Sequence, residues 1–242
     1  MNTLTRKEQI RRTAQRRKGL PGPRLEKKEA IKRIQAVCLA LAKRGGVGAI
    51  QFRAVADESG FSRGTVGYYF GSVVGLLAAT AKIGFDDLRA ELSHVAQSTG
   101  DRDLVYVSEQ QAAAHAAFAL TNVGLYGAMH APQMWEAALK SSPNFTNDHA
   151  TSEWLKDASH ARAHAFSEYV SAIWRAKKRE KSQFALPADR IAHALTSLVD
   201  GYVFQVNHER VHSNFLIPQH LEYVSGLARL VAVGASNPTS KK

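Results

Sequence analysis

The sequence predicts an all-α protein in two parts: an N-terminal three-helix domain built on a helix-turn-helix, and a larger helical body. Three observations carry this. The stretch from Gln51 to Phe70, QFRAVADESGFSRGTVGYYF, has the layout of two short helices around a turn. Apolar residues recur at three- and four-residue spacing along most of the chain, with no clear strand alternation and no internal repeat. Alanine is abundant, which suits closely packed helices.

Within the first stretch a helix is expected near Phe52–Ser59, with Val55 and the small Ala56 on its inner face. Gly60 stands where the chain must turn sharply, which favours a residue free to take a positive φ. Ser62 is a good N-cap for a second helix, able to accept a hydrogen bond from the backbone near Thr65. Phe61 and Val66 close the wedge between the two helices. The second helix then presents Arg63, Gly64, Thr65, Tyr68 and Tyr69, a set suited to phosphates and base edges. Phosphate contacts are expected from Arg53, Ser62, Tyr69 and the basic arm. Base readout is expected from Arg63, Thr65, Val66 and Tyr68, with Gly64 allowing close backbone approach.

Upstream, Ile31, Ile34, Cys38 and Leu41 line one face of an amphipathic helix that Gly45 and Gly46 stop. Downstream, Ser72 caps a fourth helix running through Leu76, Leu77, Phe85, Leu88 and Leu92 to about Ser98–Gly100. This order, Ile31 to Thr80, resembles the DNA-binding domain of the TetR family of transcriptional regulators. The resemblance covers about a fifth of the chain closely. It implies a homodimeric regulator that binds a pseudo-palindromic operator in double-stranded DNA and releases it when a small apolar or amphipathic effector enters the body. It also implies that the fourth helix links head to body. The sequence departs from the family pattern at Gly67, where a tyrosine is usual, and at Val73-Val74, where a Lys-Glu pair is usual. Both departures remove groups that would face the DNA backbone.

Charge supports a polyanion partner. The chain has 242 residues and a net charge of +11; residues 1–33 alone hold twelve Lys and Arg against Glu8, Glu26 and Glu29. Residues 1–24 are expected to be a disordered basic arm, 25–80 the head, 81–236 the ligand-binding and dimerisation body, and 237–242 a tail. Cys38 is the only cysteine, which excludes an intrachain disulfide and fits a cytoplasmic location. Gln110 to Trp135 lacks Lys, Arg, Asp and Glu. Its Gln, His, Thr, Asn and Pro nevertheless argue for a buried helix rather than a membrane span.

In the body, Asp101 is the expected cap of a long buried helix, Val105 to Met129, ending at Gly127–Pro132. A short helix Gln133–Leu139, a loop Pro143–Asp148 and a helix Ser152–Lys178 follow. Pro187 opens the next helix, and the last runs from about Pro218 to Val233. The stretch His130–Leu139 is similar to one found in a group of TetR-family ligand domains. His115, Phe118, Tyr126, His130, Trp135, Trp154, Phe166 and Tyr169 could line an effector cavity. In the resembled family the last two helices form a four-helix dimer seam, which places Leu195, Val199, Tyr202, Leu227 and Leu230 at the interface.

No catalytic group, cofactor or metal site is expected. The pairs His160/His164 and His208/His212 lack the glutamate of a His-Glu-x-x-His site, and no phosphate loop or nucleophile elbow occurs. The alternative is a helical small-molecule-binding or enzyme-like protein whose head no longer binds DNA.

Overall fold

The structure, a computed structural model, describes residues 26–140, 149–180, 186–209 and 217–236. The basic arm, the loop 143–148 and the tail lie outside the described residues. Among those described there are nine helices and no strand: α1 (Lys27–Ala49), α2 (Phe52–Ser59), α3 (Arg63–Phe70), α4 (Val73–Ser98), α5 (Leu104–Thr121), α6 (Val123–Lys140), α7 (His149–Glu180), α8 (Ala188–Glu209) and α9 (Ile217–Ser236).

The head forms as its sequence dictates. Ile34, Cys38 and Ala42 of α1, Ile50, Val55 of α2, and Val66 and Phe70 of α3 are fully buried together. At about 1.5–3 kcal/mol for each large side chain buried, these residues hold three short helices that could not persist alone. Gly60 takes φ 78° and donates its N–H to the Ala56 carbonyl, ending α2 in the left-handed conformation expected of it. Ser62 caps α3, its hydroxyl accepting from the Thr65 N–H at 3.0 Å. Gly46, at φ 64°, breaks α1, and Val47–Ala49 complete a last turn beyond it. Burial raises the Cys38 thiol to about 12, as fits a packed apolar group.

The body departs from expectation in its first half. Its first cap is Asp103, whose carboxylate accepts from the Tyr106 N–H at 2.7 Å, rather than Asp101. The single helix expected from Val105 to Met129 is two. Asn122 breaks it, leaving helical geometry and turning its side-chain amide back to the Phe118 carbonyl at 3.0 Å. The break lets α6 cross α1 closely. A Cβ on Gly124 would stand 2.1 Å from the Ala42 carbonyl oxygen, so only glycine fits there. Pro132 does not end the helix either, and α6 runs through it to Lys140. Gln110–Trp135 is thus divided between two helices. Gln111, Ala112, Ala116, Ala119, Leu120, Leu125 and Ala128 within it are buried.

The helix α7 lies along α4, and α8 and α9 close the body against α5 and α7. No single described helix is long and apolar enough to cross a membrane. Taken together α3 and α4 are apolar enough, but they bend by 65°. From Leu76 to Ala81 every residue of α4 is buried.

Candidate DNA-reading face and ligand cavity

On α3, Arg63, Gly64 and Tyr68 are exposed, and Tyr68 is the most exposed large apolar side chain of the described residues at 76%. Arg53 stands exposed on α2, within 3.9 Å of Asp57. Thr65 is half-buried, its hydroxyl 2.9 Å from that of Ser62, so the Ser62 side chain serves chiefly as a cap. One assignment changes. Val66 is fully buried in the head core and cannot reach a base edge while the head is folded. Tyr69 is half-buried against that core, its ring meeting Tyr68 edge-on at 5.2 Å.

Gly67 faces open space: a Cβ there meets nothing within 4 Å. Gly67→Ala is therefore expected to stabilise the protein by about 1 kcal/mol, the helix-propensity difference, and a thermal melt reads it directly.

The C-terminal end of α3 is held by α7. Helix ends leave carbonyls without intrahelical partners, and here side chains of another element supply them. Trp154 Nε1 donates to the Tyr69 carbonyl at 3.0 Å, and its ring stacks on Phe70 with centroids 5.2 Å apart and planes 13° from parallel. Thr151 shares a hydrogen bond of 2.8 Å with Ser72, the cap of α4, and reaches the Phe70 carbonyl at 3.4 Å. Trp154, expected in the ligand cavity, instead fastens the body to the head. Its indole N–H needs a partner when buried, and α3 offers one.

Further along α7, Phe166 and Tyr169 reach a cavity of about 420 Å³ with Phe85, Leu88 and Leu92 of α4. His115 of α5, His130 of α6, and His193, Thr196, Ser197 and Asp200 of α8 complete its wall, with Ser159 and Arg162 of α7. Four of the eight residues expected to line a cavity line this one, His115, His130, Phe166 and Tyr169, while Trp154 lines a separate cleft beside Tyr68 and Tyr69. Tyr126 lies beneath the cavity, donating its hydroxyl to Asp200. Phe118 packs on the core outside the cavity, and the Trp135 side chain is outside the described residues. Asp200 was not anticipated, though it is the only charge between Leu195 and Val206, and a lone charge in an apolar stripe is a usable signal.

A hydrogen-bonded chain runs under the cavity floor. His115 Nε2 lies 2.8 Å from the Tyr126 hydroxyl, and His115 Nδ1 lies 3.2 Å from that of Tyr169. Tyr169 donates to the Gln111 carbonyl at 3.0 Å. Each tyrosine directs its one proton to an oxygen that only accepts, and a neutral His115 has a single N–H to offer the two of them. Protonation would complete the chain, but burial opposes it. Burial lowers His115 from 6.5 to about 4, against the pull of Asp200, while His130 adds to the lowering. His130 is lowered by burial too, with Asp200 opposing and Arg162 assisting. Burial, then Asp200, raises both Tyr126 and Tyr169 well above the usual phenol range.

An unfolded chain would take up the His115 proton near 6.5, and the folded one only near 4. Stability is therefore expected in full above about pH 6.5 and to fall as pH drops toward 4, by about 3 kcal/mol from this group. Urea midpoints across that window should drop for the parent and flatten for His115→Gln.

On the last two helices, Leu195 and Val199 are fully buried within the chain. They belong to the stripe of α8 that faces α5 and α7, so they cannot meet a partner. Tyr202 is half-buried, bonded to His220 and with its ring 5.2 Å from that of Tyr223. Leu227 is half-buried, whereas Leu230 (68%), Tyr223 (55%) and Val233 (43%) are exposed along α9.

These features define a class: an all-helical protein with a helix-turn-helix head whose second helix is held by a helix that also walls a body cavity. No protein-family model matches the chain, and no curated protein sequence does. Solved structures do. PfmR, a TetR-family transcriptional regulator from Thermus thermophilus, is 16% identical with a TM-score of 0.56, over 85% of this chain and all (100%) of its own. FadR from Bacillus subtilis, a transcriptional regulator in complex with stearoyl-CoA, is 11% identical with a TM-score of 0.57, over 85% of this chain and 99% of its own. A structure from Saccharomonospora viridis in complex with choline is 20% identical with a TM-score of 0.53, over 83% and 96%. At these identities the likeness is one of fold, and the chain has the fold of the TetR-family regulators.

Proposed function

We propose that this protein is a TetR-family transcriptional repressor: a homodimer that holds a pseudo-palindromic operator with two heads and lets go when a small molecule fills the body cavity. The observation that carries this reading is the double role of α7. One helix presents Thr151 and Trp154 to the end of the recognition helix and Phe166 and Tyr169 to the cavity, so an occupant that moves α7 moves α3. A ligand shifts such an equilibrium only by its differential affinity for the two head arrangements.

On DNA, Arg63 and Tyr68 read base edges, and Thr65 joins them where its hydroxyl turns from Ser62. Arg53 and the basic arm of residues 1–24 hold phosphates. With no lysine at position 73, the arm supplies attraction that the head lacks. The ligands of the structural neighbours are unlike one another, an acyl-CoA in one and choline in another, so the fold does not choose the effector and the cavity wall must.

The test is a gel shift of the full chain against DNA from upstream of its own coding region, with scrambled DNA of equal length as control. Retardation of the upstream fragment at protein concentrations that leave the scrambled one free supports the reading. Equal retardation of both reduces the head to a non-specific polyanion binder.

A further inference from the structure

The floor of the cavity is polar and incompletely satisfied. His130 is only 9% exposed, it lines the cavity, and its Nε2 has no hydrogen-bond partner among the described residues. A buried polar atom left so is a standing cost to the fold that a donor from a ligand would remove. Asp200 lines the same cavity with its side chain 27% exposed. Tyr126 donates to its Oδ1, and among the described residues nothing donates to its Oδ2. Phe85, Leu88, Leu92, Ala165 and Phe166 make one side of the surrounding wall apolar, facing the hydroxyls of Ser159, Thr196 and Ser197.

We propose that the cavity takes a small organic amine, with its protonated nitrogen donating to Asp200 Oδ2 and, on a turn of the His130 ring that brings its solvent-closed Nε2 to the cavity, to that nitrogen as well, and with its hydrocarbon or ring lying between Phe85 and Phe166. This deepens the effector reading above and rests on it. An ammonium group fits because it brings several N–H donors and a positive charge to a site offering one carboxylate oxygen and one imidazole nitrogen.

The nearest competitor is a carboxylic acid paired with Arg162. The Arg162 side chain is exposed at the cavity mouth, where solvent screens it, and an acid anchored there would lay its apolar end against the Asp200 carboxylate. An alcohol would satisfy one of the two floor groups and leave the carboxylate charge without a counter-ion.

The test uses three ligands of one size, 2-phenylethylamine, 2-phenylethanol and phenylacetate, titrated calorimetrically into the full chain. The amine is expected to bind at least tenfold more tightly than the alcohol, and phenylacetate more weakly still. Asp200→Asn should bring the amine down to the level of the alcohol while leaving the alcohol little changed. His130→Leu, which leaves the carboxylate in place, should weaken the amine severalfold and keeps the test open if Asp200→Asn does not fold. Equal binding of all three ligands, or amine binding unchanged in both variants, overturns the proposal while the effector cavity stands. No binding of any of the three also overturns the proposal, whereas the effector reading falls only if the upstream fragment is retarded and filling the cavity by Ser197→Trp leaves that retardation and the Trp154→Phe response unchanged.

Discussion

For the homodimer proposed above, Leu230→Glu is expected to leave helical monomers. Leu230, Tyr223 and Val233 form an apolar line on the outer side of α9, and the exposed Gly226 and Gly234 beside them face open space in which a Cβ would meet nothing. Two copies packed on this face would bring their α8 and α9 helices into one four-helix arrangement. A two-fold axis places both copies of residue 230 in the same interface. A glutamate there is desolvated without a cation partner and faces its own copy. Breaking the seam in this way costs about 3 kcal/mol or more, beyond a hundredfold in dimer affinity. Sedimentation velocity should show the monomer, with circular dichroism unchanged because Leu230 makes no part of the protomer core. Operator affinity should fall as well, since one head contacts one half-site. An intact dimer would move the seam off α9.

The second large effect is expected at Trp154. Trp154→Ala removes the stack on Phe70 and the bond to the Tyr69 carbonyl, the main fastening of the recognition helix to the body. A loss of about 3 kcal/mol in stability is expected from the volume removed. A drop of at least tenfold in operator affinity should follow, because an eight-residue helix with a free end samples orientations that do not fit the groove. Trp154→Phe keeps most of the packing and loses the hydrogen bond. It should therefore retain stability and operator binding better than the alanine variant, yet respond less to a cavity ligand. Urea melts and titrations on labelled operator separate the two effects. Unchanged operator binding by Trp154→Ala would mean that α7 does not set the position of α3.

The head was legible because its signals are local. Gly60 at the turn, the Ser62 cap and the apolar spacing of Val55, Val66 and Phe70 each act within a few residues, and each appears in the structure where the sequence places it. The body was less so, because its decisive features are contacts between distant segments. Nothing near Asn122 announces that α6 must turn to lay Gly124 against the carbonyl of Ala42. Trp154 reads as one more aromatic of an amphipathic helix until Tyr69 is brought against it. Leu195 and Val199 belong to the apolar stripe of α8, and only the packing decides that they turn inward while Leu230 on α9 turns out. Val66 shows the limit inside the head itself: its place on the recognition helix suggested base contact, and its burial at 0% exposure makes it core.

Arg63 and Tyr68 are the residues proposed to read DNA from the exposed face of α3. The most direct measurement is the affinity of Arg63→Ala for the upstream fragment and for scrambled DNA at one fixed salt concentration, beside the parent protein. The variant is expected to lose about 1–3 kcal/mol on the upstream fragment and much less on scrambled DNA, so that specificity falls. Equal loss on both would make Arg63 a phosphate contact, and no loss on either would contradict the assignment of α3 as the reading helix.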